Sequence, residues 1–182
     1  MPAPVEQAGV TSALIALRAA GLTVLAFAVA MALVVRFAPM RPERWHVDPD
    51  QAQKQPGRND YLLRAFGTAL DGADGIAGLY EGDAESLTYF IEQVALAEPR
   101  TRVIGGDALL GYITLVQRSK WLGFPDAITV MAHDIGLDRA TLSIWSRSRY
   151  GERDFGVNRA RVTRWLADIQ PMLIDPLAAP AP

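Results

Sequence analysis

Residues 110–149, LGYITLVQRSKWLGFPDAITVMAHDIGLDRATLSIWSRSR, decide the fold of this chain. Apolar and polar residues alternate along much of the stretch, as in Leu142 and Ile144 against Ser143 and Trp145, which is the period of a half-buried β-strand. Short connectors containing glycine and aspartate separate the runs, so the pattern predicts antiparallel hairpins. The stretch predicts strands at Leu110 to Arg118, Ala127 to Asp134 and Ala140 to Arg149. A shorter run just before it predicts another strand at Arg102 to Gly105.

Helical patterns flank these strands on both sides. The earlier helix begins after Asp83 or Ser86, ends at Pro99, and repeats apolar residues at about 3.6 positions: Leu87, Phe90, Ile91, Val94 and Leu96. The later helix extends from Phe155 to Leu173, and two weaker strands are expected at Asp60 to Phe66 and Ile76 to Tyr80. Helices separated from a run of strands indicate the α+β class. We therefore expect an antiparallel sheet covered by two helices.

An apolar segment precedes this domain. Between Arg18 and Arg36 lie 17 residues, AAGLTVLAFAVAMALVV, without a charge, and the uncharged flanks extend the predicted helix to Val10 and Phe37. This pattern favours a retained transmembrane helix. A cleaved signal peptide stays open, because Ala28-Val29-Ala30 has the small residues of a cleavage site. A buried core helix is disfavoured, since the segment is apolar on all sides.

The apolar segment also contains small residues four positions apart. Ala26 and Ala30 form one pair, and Ala28 and Ala32 form the other. Such spacing lets a second membrane helix approach closely, although alanine is common enough for the spacing to arise by chance. The expected partners are therefore the bilayer and another membrane protein or complex.

The predicted divisions are residues 1–37 for the tail and membrane helix, 38–59 for a linker or extended strap, 60–173 for the soluble domain and 174–182 for a disordered tail. A formal net charge of −2 and a pI near 5.7 argue against nucleic-acid binding. With no cysteine and two histidines, disulfides, thiolate nucleophiles and cysteine- or histidine-rich metal sites are excluded. We expect neither a metal nor a cofactor.

Two segments carry a recognisable motif: residues 117–126, QRSKWLGFPD, and residues 146–162, SRSRYGERDFGVNRARV. Together with PERWHVDP at residues 42–49, they resemble the bacterial and plastid family called domain of unknown function 1499. The resemblance implies an α+β domain, commonly behind a signal or an anchor, and no assigned activity. It also implies an inner-membrane protein with a periplasmic domain, whereas the flanking charges alone lean slightly towards a cytoplasmic one.

The motif has a structural and a functional interpretation. In the structural one, Asp154 caps the last helix, Gly151 and Gly156 permit a tight turn, and Asn158 bonds within the first helical turn. In the functional one, an arginine-rich face binds an anion, a lipid headgroup or a partner. Its candidate residues are Arg118, Trp121, Arg147, Arg149 and Arg153. The structural interpretation is the simpler one, since exposed arginines also pair with acids at little gain in stability.

Three hypotheses for function follow. The first is a non-enzymatic accessory protein that docks on a larger membrane complex. The second is a module that binds a lipid or small amphiphile in an apolar cavity. The third, an enzyme, is disfavoured: no nucleotide-binding or nucleophile motif is present, the sequence places no serine beside His133, and the enzyme hypothesis requires Arg147, Arg149, Asp154 and Asn158 to converge on an open pocket.

Overall fold

The computed structural model describes residues 4–54, 59–151 and 156–175. The chain divides into two compact units, Met1–Ala38 and Pro39–Pro182. The first consists of helix α1 (Pro4–Phe37). Its segment Thr11–Phe37 has a mean hydropathy of 2.2 and is long and apolar enough to cross a bilayer. At 1.5 Å per residue the segment measures about 40 Å, so the predicted apolar helix is present and ends at Phe37 as expected.

The second unit is a mixed α+β domain, which confirms the predicted class. Its elements are α2 (Pro42–Trp45), β1 (Asp60–Arg64), β2 (Gly75–Ile76), β3 (Leu79–Glu81), α3 (Ala84–Ala97), β4 (Thr101–Asp107), β5 (Tyr112–Arg118), β6 (Pro125–Asp134), β7 (Arg139–Ser148), α4 (Val157–Asp168) and β8 (Leu173–Asp175). Single 3₁₀ turns lie at Ala108–Leu110 and Gln170–Met172.

The strands form one sheet in the order β2-β1-β7-β6-β5-β4, with β3 paired to β7 and β8. The predicted hairpins β5–β6 and β6–β7 are antiparallel. Three details differ from the sequence predictions. The β1–β2 pair is parallel, β8 lies where the last helix was expected to end, and α2 makes one helical turn inside the segment expected to be extended.

Helices α3 and α4 cover one face of the sheet and enclose the apolar core. Its fully buried side chains include Trp165, Leu63, Leu87, Ile91, Ile113, Leu115, Ile128, Leu142 and Ile144. Of the two predicted caps, Asp83 is the one that caps α3, because its carboxylate accepts a 2.7 Å hydrogen bond from the Ser86 amide. The core face of α3 is different from the predicted one: Phe90 and Leu96 are 46 % and 42 % exposed, while Thr88 and Ala95 are buried.

The turn into α4 lies partly outside the described residues. Gly156 occupies the position before the helix with a φ of +80°, and Gly151 has a φ of +87°. Glycine adopts this left-handed conformation without the steric penalty of a side chain, in agreement with a tight turn. Arg153 and the predicted cap Asp154 lie outside the described residues.

Candidate functional site

The segment from residue 39 to residue 54, here called the strap, lies against the face of the sheet that the helices leave open. Met40 packs there on Val116 and Ala127, and Trp45 and Ile104 border this small cluster. The strap carries few apolar side chains, so most of its attachment is polar. Three groups of hydrogen bonds hold it, and they come from β1, from β5 and from the β6–β7 hairpin.

Arg64 on β1 binds the backbone of the strap. Its guanidinium donates to the carbonyls of Pro49 at 2.6 Å and Ala52 at 2.5 Å, and also to the carbonyl of Asp50. The residue is 5 % exposed. A buried guanidinium lowers stability unless its N–H groups have hydrogen-bond partners. Since its partners here are carbonyls of the strap, these bonds fix the path of residues 49–52.

Asp50 connects the strap to the β6–β7 hairpin. The Ser143 hydroxyl donates to Asp50 Oδ1, and His133 Nε2 lies 2.7 Å from Asp50 Oδ2. This is a serine–aspartate–histidine arrangement, but the carboxylate lies between the other two. The imidazole therefore has no contact through which it could take the serine proton, as a catalytic triad requires. We assign these contacts to strap attachment.

His46 attaches the middle of the strap to β5. Its Nδ1 lies 2.9 Å from the Thr114 hydroxyl, and its ring stacks on Tyr112 with the centroids 3.9 Å apart. Burial lowers the pKa of His46 below its ordinary value of 6.5. The approach is close because β4 presents glycine here: a Cβ on Gly105 would lie 3.2 Å from the Cβ atoms of His46 and Pro42.

An open groove of about 570 Å³ lies between the strap and strands β1 and β7. We call it the strap groove. Arg147 is the predicted site residue that lines it. Residues of the strap form one wall, and the sheet forms the other. The full lining is Arg44, Trp45, Val47, Asp48, Gln51, Ala52, Gln53, Asn59, Asp60, Trp145, Arg147 and Ser148.

The Arg147 guanidinium is placed between two tryptophan rings. Its Cζ lies 3.8 Å from the ring centroid of Trp145 and 5.3 Å from that of Trp45, and Nη2 donates to the Trp45 carbonyl at 2.6 Å. Burial lowers the pKa of Arg147 to about 10, since the charges of Tyr112 and Asp60 offset only part of the desolvation. The side chain stays cationic at neutral pH in a partly apolar setting.

The two carboxylates of the strap groove are engaged with neighbouring groups. Asp60 Oδ2 accepts from the Trp145 indole at 3.1 Å, and its Oδ1 lies 3.5 Å from Lys54 Nζ. Asp48 accepts from the Asp50 amide and from the Gln51 side chain, each at 2.8 Å. Among the described residues, no carboxylate is in ion-pair range of Arg147. Asp60 acts on the Arg147 charge only at longer range, so the groove compensates this charge only in part.

The other conspicuous polar residues of the motif lie on the opposite face, under α4. Arg161 is 3 % exposed and donates to Asp126 at 2.7 Å, Gln117 at 2.6 Å and Ser146 at 2.9 Å. It also donates to Asn158 Oδ1 at 2.8 Å, and this oxygen accepts from the Ser146 hydroxyl as well. These bonds join α4 to β5, β6 and β7.

Glu98 extends this network at the end of α3. Its carboxylate accepts from Gln117 at 2.6 Å, from Arg164 at 3.0 Å and from the Trp165 indole at 3.0 Å. Burial by itself would raise the pKa of Glu98, but these three hydrogen bonds outweigh it and leave the pKa below its usual value. The network ties α3, α4 and the sheet together and faces no described cavity.

The candidate site residues of the motif do not form one cluster. Arg147 faces the strap, whereas the Asn158 amide reaches the other side and donates to Ser148 and to the Asn59 carbonyl. Arg149 donates to the Pro39 carbonyl, and Arg118 donates to Gly123 in the β5–β6 turn at 3.0 Å. Trp121 is at the tip of that turn and is 82 % exposed. Arg153 is outside the described residues.

Sequence reasoning missed Asp50, Arg64 and Arg161. Arg64 and Arg161 each had a signal: Arg64 follows Leu62 and Leu63 in a mostly apolar run, and Arg161 stands four positions before Trp165, on the core side of the predicted helix. A buried charge needs dedicated partners, so both positions pointed to polar contacts. Asp50 had no such signal in a proline-rich segment. No group of three or more acidic or histidine side chains that could hold a metal ion occurs in the described part of the chain.

Comparison with known proteins gives one match. The model of a family described as "Protein of unknown function (DUF1499)" matches residues 64–169, which is more than half of the chain. No curated protein and no solved structure matches. The match runs from the last residue of β1 to the end of α4 and leaves out the strap, so it includes Arg64, Arg147 and Arg161 but not Asp50.

Proposed function

The chain belongs to the DUF1499 family, whose name assigns no activity, and from its site we propose that it is a membrane-anchored, non-enzymatic binding module. In this proposal the strap groove holds a small amphiphile with an anionic head, such as a carboxylate or a phosphate. The membrane context comes from α1, with the domain on the periplasmic side of an inner membrane. The proposal develops the second of the three hypotheses from sequence.

Arg147 is the observation that carries the proposal. Its guanidinium is desolvated, donates one hydrogen bond to a carbonyl, and has no acidic partner among the described residues. A guanidinium presents five donors in a planar fork, so most of its capacity remains for a ligand. An oxyanion would receive bonds that are stronger here than in water, because the two indole rings exclude solvent.

The apolar part of the ligand has its own surface. Trp45 and Trp145 stand on either side of Arg147, and Val47 and Ala52 continue the apolar lining. A volume of about 570 Å³ is within the range of small-molecule sites. Arg44 is exposed at the same groove and adds a second cation for the head group. An anionic head on a short apolar body therefore suits this lining.

Two other expectations from the sequence concern the position of the amphiphile cavity and the enzyme hypothesis. The strap groove does not lie between the sheet and the helices, where an amphiphile was expected and where the described side chains form the buried apolar core. The space lies instead under the strap. The enzyme hypothesis required Arg147 and Asn158 to share a pocket; Arg147 lines the strap groove, whereas Asn158 lies under α4 and only its hydrogen bonds to Ser148 and Asn59 reach the groove lining.

Docking on a membrane complex stays a second proposal. It rests on the small-residue spacing of Ala26, Ala28, Ala30 and Ala32 in α1. It predicts co-purification with a membrane partner after mild detergent extraction, and a monodisperse monomer in several detergents would contradict it.

Hexyl phosphate, a soluble anionic amphiphile, tests the binding proposal. We expect it to bind the full chain in zwitterionic nanodiscs, measured by titration calorimetry, while hexanol binds much more weakly. Arg147→Gln removes a charge-assisted contact of about 1.5–3 kcal/mol and should weaken binding about 10- to 100-fold. Arg139→Gln, at the other end of β7, is the matched control and should leave affinity unchanged. Equal binding by both variants, or no preference over hexanol, would refute the proposal.

A further inference from the structure

The β5–β6 turn presents apolar side chains that the core does not use. Trp121 is 82 % exposed, Leu122 50 % and Phe124 38 %. The turn is nevertheless well held. The Ser119 amide donates to the Phe124 carbonyl and the Phe124 amide donates to the Ser119 hydroxyl, both at 2.9 Å. Arg118 also donates to the Gly123 carbonyl. A braced turn that exposes a tryptophan, here called the Trp121 turn, is a surface suited to a contact outside the domain.

The start of the second unit lies at the same end of the sheet as the Trp121 turn. Arg149 lies at this end, because its amide donates at 3.1 Å to the carbonyl of Pro125, the first residue of β6. Its guanidinium donates to the Pro39 carbonyl and contacts the Met40 sulfur at 3.7 Å. Pro39 follows Phe37, the last residue of α1, by two positions, a span of at most about 7 Å. The chain therefore enters this end of the sheet within two residues of the end of the membrane helix.

Charge distinguishes the two ends of the sheet. Both expose apolar residues, since Leu110 and Leu137 at the far end are 81 % and 87 % exposed. The far end also carries more acids than cations on its turns and strand ends: Asp107, Asp134 and Asp138 against Arg139. The near end carries cations: Arg41, Arg44, Arg118, Lys120 and Arg149. Glu43 is the exposed acid of the strap segment there. An anionic surface would attract the near end and repel the far end.

We propose that the Trp121 turn, with the surrounding arginines and Lys120, rests on the anionic surface of the bilayer that α1 spans. Tryptophan prefers the headgroup level of a membrane, where its ring is partly apolar and its N–H stays hydrated. Lys120 lies 5.1 Å from the Trp121 ring centroid, so a cation and an aromatic ring reach the surface together. The proposal shares with the binding module the premise that α1 is a retained anchor, but it does not involve Arg147.

Site-specific spin labels test this contact, because the natural chain has no cysteine. Leu122→Cys places a label on the Trp121 turn, and Leu110→Cys is the matched control at the far end. In nanodiscs with about one third anionic phosphatidylglycerol, we expect the label at 122 to be accessible to oxygen and sheltered from a water-soluble nickel reagent. The label at 110 should show the reverse. Lys120→Glu or a purely zwitterionic disc should move the label at 122 towards water.

Two results would overturn the proposal. One is equal accessibility to the nickel reagent at both positions. The other is a label at 122 that is sheltered from both reagents, which would mean that a protein surface, either a partner or a second copy, covers the turn. The two proposals fail separately. Hexyl phosphate binding reports on Arg147 in the strap groove, whereas these labels report on the ends of the sheet.

Discussion

The two faces of the sheet are held by different kinds of contact. On the helix face, fully buried apolar side chains fill the space under α3 and α4, and Arg161 and Glu98 add a satisfied polar network. On the strap face, a small apolar cluster around Met40 is supplemented by hydrogen bonds from Arg64, Ser143 and Thr114. One face is a continuous packed layer. On the other face, the strap is attached at separate points and leaves room for a groove between itself and the sheet.

This difference separates stability from function. A packed layer loses free energy wherever an atom is removed, so it tolerates little change. Separate attachment points can open individually, and regions of low local stability are where binding segments are usually found. We therefore expect substitutions on the helix face to unfold the domain, and substitutions on the strap face to release the strap while the domain stays folded.

Removal of Arg161 should have the largest effect. Arg161→Met leaves Asp126, Gln117 and Asn158 buried without their common partner, and loss of one member of a buried ion pair costs about 3–5 kcal/mol. Denaturant unfolding of the full chain in detergent measures the free energy of unfolding. Arg164→Met, on the same helix but with a 55 % exposed side chain, should cost less than about 1 kcal/mol. Similar losses for both variants would show that the network is not essential to the helix face.

The sequence predicted the helix face well because periodicity reports burial. Alternation located β5, β6 and β7 to within two residues at each end, and Asp83 was one of the two candidate caps. Phe90 and Leu96 were assigned to the core because apolar character alone cannot distinguish the two flanks of an amphipathic helix. The partners of Arg161 are 44 and 35 positions away in Gln117 and Asp126, and no local pattern identifies such pairs.

Removal of Arg64 tests the strap face directly. Arg64→Met eliminates the bonds to the carbonyls of residues 49, 50 and 52, and we expect a loss of about 2–3 kcal/mol with most of the change confined to the strap. Amide hydrogen exchange should rise at least about tenfold for Trp45 to Lys54 and stay unchanged in α3. Arg102→Met, an exposed arginine on β4, is the control. Uniformly faster exchange across the domain would contradict the separation of the two faces.

The sequence predicted the strap as a separate segment, but not that it covers one face of the sheet. Four prolines and weak periodicity predicted an extended stretch, and nothing in residues 38–59 indicates which surface it covers. That surface is defined by groups far along the chain: Thr114, His133 and Ser143. Arg147 was predicted as a site residue from its charge, but its two tryptophan neighbours are about 100 residues apart in sequence and meet only in the fold.

Neutralising Asp50 should have a smaller effect than removing Arg64. In Asp50→Asn the amide oxygen can still accept from Ser143, but the pairing with His133 loses its charge. Both side chains of that pair are about one third exposed, so the expected loss is roughly 1 kcal/mol or less. Asp138→Asn, on the β6–β7 turn, is a control for removing an acid at the surface. Strap exchange that rises as much as in Arg64→Met would contradict this order and show that Asp50 holds the strap as firmly as Arg64 does.

The pH dependence of the strap should be the smallest effect. Burial lowers the pKa of His46 below 6.5, so the folded state favours the neutral imidazole. The unfolded chain then binds more protons, and the stability that His46 contributes is present above pH 6.5 and lost as the pH falls through that value towards the lower, folded pKa. The chain has two histidines, so His46→Gln assigns the ring resonances in an NMR titration. We expect His46 to titrate below 6.5 and strap exchange to accelerate under mildly acidic conditions, with His46→Gln flattening that acceleration. A titration at or above 6.5 would mean that the ring is solvated, and that the strap is held loosely at His46.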